Sequence, residues 1–231
     1  MEVVINSFPV LLMGAGMTIL ITLLSISIGC VLGLAAGLSR LSKSRILSFF
    51  ATCYIDFFRG TPLLVQLVII YFGIPDILKD VQSYLVAALG ISPFFKNIPV
   101  FAAVLIALSL NSGAYIGEIF RAGVQSINKG QMEAARSLGM TSRQAMRFII
   151  LPQAFKRMIP PLGNEFIALL KDTALVSIIG FEELFRRGQL IVGATYEAFA
   201  IYLAVAFIYL AMTLTFSRFV DYLERRLRTG D

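Results

Sequence analysis

The chain has no histidine among its 231 residues and only two cysteines, Cys30 and Cys53. The lack of histidine excludes catalysis by an imidazole base and the common zinc sites, because the two cysteines alone do not have the spacing of a metal site. The nucleotide-binding pattern G-x-x-x-x-G-K-S/T is also missing, so the chain is not expected to hydrolyse ATP. No carboxylate pair stands in a recognisable catalytic frame. The sequence therefore predicts no enzyme activity, no catalytic residue, no metal and no cofactor bound by this chain.

Charged residues are scarce as well. They make up 15% of the chain, whereas a soluble domain of this size would carry about 25%. Hydrophobic residues account for 58%, and the mean hydropathy is +0.82. This composition predicts an integral membrane protein. The net charge of +6 alone would fit a nucleic-acid partner. The basic residues are better explained by the loops in which they lie, so no nucleic acid is expected.

Five apolar runs predict an all-α protein with five transmembrane helices, because each run reaches the roughly 20 residues that a spanning helix needs. They cover residues 9–38, 46–74, 98–127, 153–180 and 193–217. Thirteen of the 20 basic residues fall in three segments beside these runs: Arg40, Lys43, Arg45; Lys129, Arg136, Arg143, Arg147, Lys156, Arg157; and Arg218, Arg225, Arg226, Arg228. The positive-inside rule assigns these segments to the cytoplasm, with the N-terminus outside and the C-terminus inside.

Small residues mark one face of the first run. Gly29, Gly33 and Gly37 recur every four residues, which predicts a smooth face where a second helix can approach closely.

The fourth run carries polar residues at membrane depth. Counted from Arg157 at 1.5 Å per residue, Glu165 lies about 12 Å deep and Lys171 about 21 Å deep. Asn164 shares a helical face with Lys171, and Glu165 shares one with Asp172. Ionisable groups are costly there and suggest a substrate site. The alternative is that Glu165 or Asp172 pairs with Lys171 to hold helices together.

Further polar residues lie in the second and third runs. Asn111, Ser112 and Tyr115 share a short stretch of the third run, and Gln66 lies in the second. Such groups can bind the backbone atoms of a small polar solute. They can equally form hydrogen bonds between helices, which is their commoner use in membranes.

The segment of residues 128–152 has the local signals of a helix–turn–helix. Asn128 and Gln131 have the spacing of a capping box, and so do Thr141 and Gln144. Gly139 stands between the two predicted helices, where a glycine commonly ends a helix.

The same segment contains Glu133, Ala134, Ala135, Gly139, Ile149, Leu151 and Pro152. Their spacing resembles the EAA loop of bacterial ABC importer permeases, and we therefore call residues 128–152 the coupling segment. The resemblance implies that Glu133, Ala134, Ala135 and Gly139 dock on an ATPase subunit. An ordinary amphipathic helix pair at a membrane surface would not require this full spacing.

Three further segments resemble the permeases for polar amino acids of the histidine/glutamine/arginine type. They are residues 59–66, 111–119 and 163–173. Residues 1–231 are then expected to form one permease domain in the bacterial inner membrane. The resemblance implies a second permease chain, either a copy or a paralogue, and two ATPase subunits that hold ATP and Mg. It also implies an extracytoplasmic binding protein for the amino acid, and transport by alternating access.

The predicted substrate site comprises Gln66, Asn111, Ser112, Tyr115, Asn164, Glu165 and Lys171. A cationic amino acid would offset the cost of an unpaired Glu165 at membrane depth. Lys171 or Asn111 would then hold the substrate carboxylate. The alternatives are glutamine or cystine as substrate, or a secondary transporter driven by an ion gradient. The last class often shows inverted repeats, and this sequence shows none.

Overall fold

The computed structural model describes residues 2–227, which are helical with short connections. Met1 and residues 228–231, including Arg228 of the basic C-terminal segment, lie outside the described residues. The α-helices are α1 (Glu2–Arg40), α2 (Arg45–Gly60), α3 (Leu63–Val68), α4 (Ile74–Leu89), α5 (Val100–Gln125), α6 (Lys129–Ser137), α7 (Ser142–Ala145), α8 (Leu151–Asp172), α9 (Leu184–Thr195) and α10 (Ala198–Leu227). Stretches of π-helix join α3 to α4 (Ile69–Gly73) and α7 to α8 (Met146–Ile150), and a 3₁₀ stretch, Thr173–Ile179, follows α8.

Three described helices are long and apolar enough to cross a membrane, namely α1, α5 and most of α10. The pair formed by Arg45–Gly60 and Leu63–Leu89 could be a fourth, broken span. The fourth predicted run, in contrast, contains α8, which carries charged residues along its length. The count of five spans therefore stays a prediction.

The packing of α1 on α5 confirms the predicted glycine face. A Cβ atom added at Gly29 would lie 3.2 Å from the Ser112 hydroxyl, and one at Gly37 would lie 2.9 Å from the carbonyl oxygen of Gly117. The glycines therefore let the two helices touch backbone to backbone. This contact fixes α5 as the central helix against which α2, α3 and α8 also pack.

The chain turns sharply after α2, at a break in residues 60–62, because Pro62 has no backbone N–H and disfavours helical geometry at the preceding Thr61. The helices on either side meet at 106°. The side-chain amide nitrogen of Gln66 lies 2.8 Å from the carbonyl oxygen of Phe58 and 3.0 Å from that of Thr61. Asn111 of α5 donates to the Gln66 side-chain oxygen over 2.9 Å. These two amides therefore satisfy carbonyl groups that the interrupted helix leaves without an N–H partner.

A buried carboxylate ties α1, α9 and α10 together. Glu183 has no exposed surface, and its side chain accepts hydrogen bonds from the backbone N–H groups of Phe185 and Arg186. It also accepts from the hydroxyl groups of Tyr209 over 2.7 Å and Thr18 over 3.4 Å. Four donors compensate its burial, which makes Glu183 a structural group at the start of α9.

Candidate functional site

A polar cavity of about 550 Å³ lies between the 60–62 break, α5 and α8. Its lining residues are Arg59, Gly60, Thr61, Pro62, Leu63, Asn111, Tyr115, Glu165, Ala168, Asp172 and Leu175. The break contributes one wall because the chain must leave helical geometry there. The cavity has the volume and the mixed lining expected for a small polar ligand.

The charged residues of the cavity come from two sides. Arg59 lies at the end of α2, and Glu165 and Asp172 lie two turns apart on one face of α8. The shared face of Glu165 and Asp172 agrees with their predicted spacing. The buried Ser112 hydroxyl faces the Glu165 carboxyl without reaching hydrogen-bond geometry. One cation and two carboxylates give the lining a net charge of −1 when all three are ionised.

Arg59 also reaches a cluster of charges behind the cavity. Its guanidinium carbon lies 5.5 Å from the centre of the Tyr115 ring, and its Nη1 lies 3.8 Å from the Oε2 of Glu118. That oxygen already accepts from Arg40 over 2.8 Å and from the Nε of Arg121 over 2.9 Å. Arg121 lies three residues after Glu118 on the same helix, a spacing at which side chains are neighbours. The contacts of Arg40 and Arg59 with Glu118 could be seen only in the tertiary structure.

The predicted site residues divide into two groups. Asn111, Tyr115 and Glu165 line the cavity. Ser112 is fully buried beside Glu165, and Gln66 is buried behind Asn111. Asn111 forms hydrogen bonds to neighbouring helices, as one predicted alternative has it, and it also lines the cavity, so that substrate binding by Asn111 stays a prediction.

Lys171 and Asn164 lie elsewhere on α8. Lys171 lines a separate cavity of about 280 Å³, together with Ala174, Phe185, Tyr202, Val205, Ala206 and Tyr209. Asn164 is exposed. Successive residues of an α-helix point about 100° apart, so the face with Asp172 turns into the polar cavity while the face with Lys171 turns away. Arg59, which the site prediction omitted, is the cation that the cavity does contain.

No group of three or more His, Cys, Asp or Glu side chains within residues 2–227 has the arrangement of a metal site.

The coupling segment forms the predicted pair of helices. Asn128 caps α6 by accepting from the N–H of Gly130 over 2.8 Å. Gly139 has φ +87°, a left-handed conformation that favours glycine, and the N–H of Met140 donates to the carbonyl of Ala135 over 3.1 Å. Thr141 and Gln144 form both bonds of the predicted capping box.

The exposed surface of this segment differs in part from the prediction. Glu133, Ala134 and Gly139 are exposed, and Leu138 at the turn is 85% exposed. Ala135, predicted to belong to the same surface, is buried, with 5% of its area exposed. Because of the helical period it faces inward, and the surface consists of the other three residues and Leu138.

The coupling segment is held firmly to α5 and α8. Ile127, Ile150, Ala154 and Met158 form one buried apolar cluster at its base. Arg157 of α8 donates to the carbonyl oxygen of Ser126 over 2.7 Å, just after the end of α5. Movement of α5 or α8 would therefore be passed to the segment.

Comparisons with known proteins give a consistent result. Residues 25–229 match the family described as binding-protein-dependent transport system inner membrane component. The chain is 40% identical over 222 residues to the glutamine transport system permease protein GlnP of Escherichia coli (strain K12), covering 96% of this chain and 94% of that protein. It is 37% identical over 227 residues to the arginine transport system permease protein ArtQ of Bacillus subtilis (strain 168), covering 98% and 96%. A solved structure, described as an amino acid ABC transporter with histidines, matches with a TM-score of 0.84, 44% identity and 96% of both chains.

Proposed function

Since the chain belongs to the family of binding-protein-dependent transport system inner membrane components, we propose that it carries a basic amino acid through the cavity beside the 60–62 break. It is a membrane-embedded permease subunit of an amino-acid ABC importer, and ATP is hydrolysed by a separate subunit. Membership of the family does not identify which amino acid is transported.

The charge of the cavity carries the proposal. An ionised Arg59 offers a partner for the α-carboxylate of an amino acid, and Glu165 and Asp172 offer partners for two cations. A basic amino acid has one carboxylate and two cationic groups, so every charge finds a counter-charge. Glutamine has only one cationic group and would leave one carboxylate of the cavity without a counter-charge. Arg59 replaces Lys171 and Asn111 as the partner proposed for the substrate carboxylate. Lys171 lines the other cavity, and the side-chain nitrogen of Asn111 already donates to Phe58 and Gln66.

Glutamine remains the second candidate because of the relatives. The identities of 40% to a glutamine permease and 37% to an arginine permease are too similar to choose between the two. The proposal therefore rests on the three charged residues of the cavity.

The family implies an ATPase, a substrate-binding protein and a second permease chain as partners. We place two ATPase subunits on the coupling segments of two permease chains, either two copies or this chain with a paralogue. The exposed Leu138 beside Glu133 and Gly139 suits insertion into a cleft of the ATPase. The proposed orientation in the bacterial inner membrane puts the coupling segment and the basic C-terminal end of α10 in the cytoplasm, with the N-terminus outside.

The test uses the complex of permease, ATPase and binding protein in lipid vesicles. Glu165→Gln keeps the shape of the side chain and removes its charge, and should lower arginine uptake about tenfold or more, the scale of a lost charge-assisted hydrogen bond. Glu182→Gln is the matched control, since Glu182 is an exposed carboxylate outside the cavity. Assembly with the ATPase should be normal in both variants.

Unchanged arginine uptake by the Glu165→Gln complex would refute the role of this carboxylate. Uptake of glutamine in preference to arginine by the wild-type complex would refute the choice of substrate. If Glu165→Gln prevents assembly, Asp172→Asn provides the same test at the second carboxylate of the cavity.

A further inference from the structure

Arg59 belongs to two sites at once. It lines the substrate cavity, and its guanidinium lies 3.8 Å from the carboxylate of Glu118, outside hydrogen-bond distance. Its side chain is 37% exposed. An ion pair of this length and exposure contributes little free energy, so Arg59 is weakly held where it stands.

The other arginines of the cluster are bound more closely. Arg40 and Arg121 both donate hydrogen bonds to Glu118, and Arg40 also lies 3.6 Å from the exposed Asp56. Three arginines therefore share two carboxylates within the described part of the cluster. Arg59 is the cation in excess, and its remaining N–H groups are beside a cavity where we place the substrate carboxylate.

Glu118 connects this cluster to the coupling segment. It lies on α5, one turn from Arg121, and α5 leads through Ser126 directly to Asn128, the cap of α6. Ser126 is in turn bonded by Arg157 of α8. A change in the forces on Glu118 therefore acts on the helix that carries the ATPase-docking surface.

We propose that Arg59 exchanges Glu118 for the carboxylate of the bound amino acid, and that this exchange reports an occupied cavity to the coupling segment. The inference rests on the proposed function, since it takes the cavity to be the substrate site. A carboxylate in the cavity can form a direct, bidentate pair with the guanidinium, which is stronger than the 3.8 Å ion pair that it replaces. In the empty cavity, Arg59 keeps its long ion pair with Glu118, and the loss of this pair on substrate binding changes the balance of charge at the end of α5.

The first arm of the test measures whether Arg59 meets the carboxylate. L-arginine and agmatine, which is arginine without its carboxylate, are titrated calorimetrically onto the purified permease–ATPase complex. The wild type should bind L-arginine about tenfold or more tightly than agmatine, and Arg59→Gln should remove this difference. Equal affinities in the wild type would overturn the exchange.

The second arm measures ATP hydrolysis by the same complex in vesicles without substrate. Arg59→Gln and Glu118→Gln both remove the resting contact, so both should raise this basal rate, by about two- to fivefold for Arg59→Gln, which is the range of a weak ion pair. A residue that only binds substrate would leave the basal rate unchanged. Asp56→Asn is the matched control, because it removes a carboxylate of the cluster that Arg59 does not contact, and its basal rate should equal that of the wild type.

The outcomes separate this inference from the proposed function. An unchanged basal rate in Arg59→Gln overturns the exchange even if arginine uptake still depends on Glu165. If Glu118→Gln fails to assemble, the basal rate of Arg59→Gln alone tests the exchange. Arg59→Gln should still assemble, because the Arg59 side chain contacts only Glu118, through the long ion pair, and the Tyr115 ring. If Arg59→Gln and Glu165→Gln both bind arginine as tightly as the wild type, the cavity is not the substrate site.

Discussion

Close packing of α1 on α5 leads to a sharp prediction about stability. A Cβ atom added at Gly33 would lie 2.6 Å from the Cγ2 atom of Ile116 and 2.8 Å from the carbonyl oxygen of Gly113. Ile116 has no exposed surface and is β-branched, and the carbonyl belongs to the backbone, so neither can move aside cheaply. Gly33→Ala must therefore push the two helices apart.

The same helix offers a matched control. A Cβ atom at Gly16 would meet nothing within 4 Å. Both substitutions gain the helix propensity of alanine over glycine, about 1 kcal/mol. The difference between the two variants thus isolates the overpacking cost, which is about 1–3 kcal/mol. For a chain of this size, each kcal/mol corresponds to a change in the melting temperature of about 2–4 °C.

The assay heats the detergent-purified complex and measures the fraction that remains monodisperse by size-exclusion chromatography. Gly16→Ala should melt at or slightly above the wild-type temperature. Gly33→Ala should melt about 2–12 °C below Gly16→Ala, from the two ranges above. Equal melting temperatures would show that the glycine face is not the closest contact between α1 and α5.

Two further predictions concern coupling and orientation. Gly139→Trp places a bulky side chain at φ +87° on the docking surface, so it should reduce ATPase attachment or stimulated hydrolysis while membrane insertion persists; normal stimulated hydrolysis would contradict the docking role. In a background without native cysteines, Ser44→Cys and Ser142→Cys should be protected from an impermeant reagent outside, and Ser83→Cys should be labelled. Outside labelling of Ser142→Cys would reverse the orientation.

Features that depend on a few neighbouring residues could be predicted from the sequence. The capping box at Thr141, the helix end at Gly139 and the 60–62 break are fixed by local backbone chemistry. The glycine face of α1 follows from a helical period. In each case the physical cause lies within one or two turns of the chain, and the structure agrees with it.

Features that depend on packing could not be predicted in this way. Arg40, Arg59 and Glu118 lie far apart in sequence and meet only because α1, α2 and α5 pack together. The helical period places Asp172 and Lys171 on different faces of α8, but it does not show which of the two faces turns into the cavity. Neither Arg59 nor the buried Glu183 has a local signal that marks its role.

The amide pair at the break has a consequence for how transport variants are interpreted. The side-chain nitrogen of Gln66 donates to the carbonyl oxygens of Phe58 and Thr61. That of Asn111 donates to the carbonyl oxygen of Phe58 and to the side-chain oxygen of Gln66. A substitution at either position would unpair backbone carbonyl groups at the break and let the bend between the helices relax. Uptake would then fail because the wall of the cavity had moved, and the defect would affect every substrate alike. A screen that scores only lost uptake would therefore count both amides as substrate ligands. A change in the preference between substrates is expected only from residues whose N–H groups are not all bonded within the protein, such as Arg59.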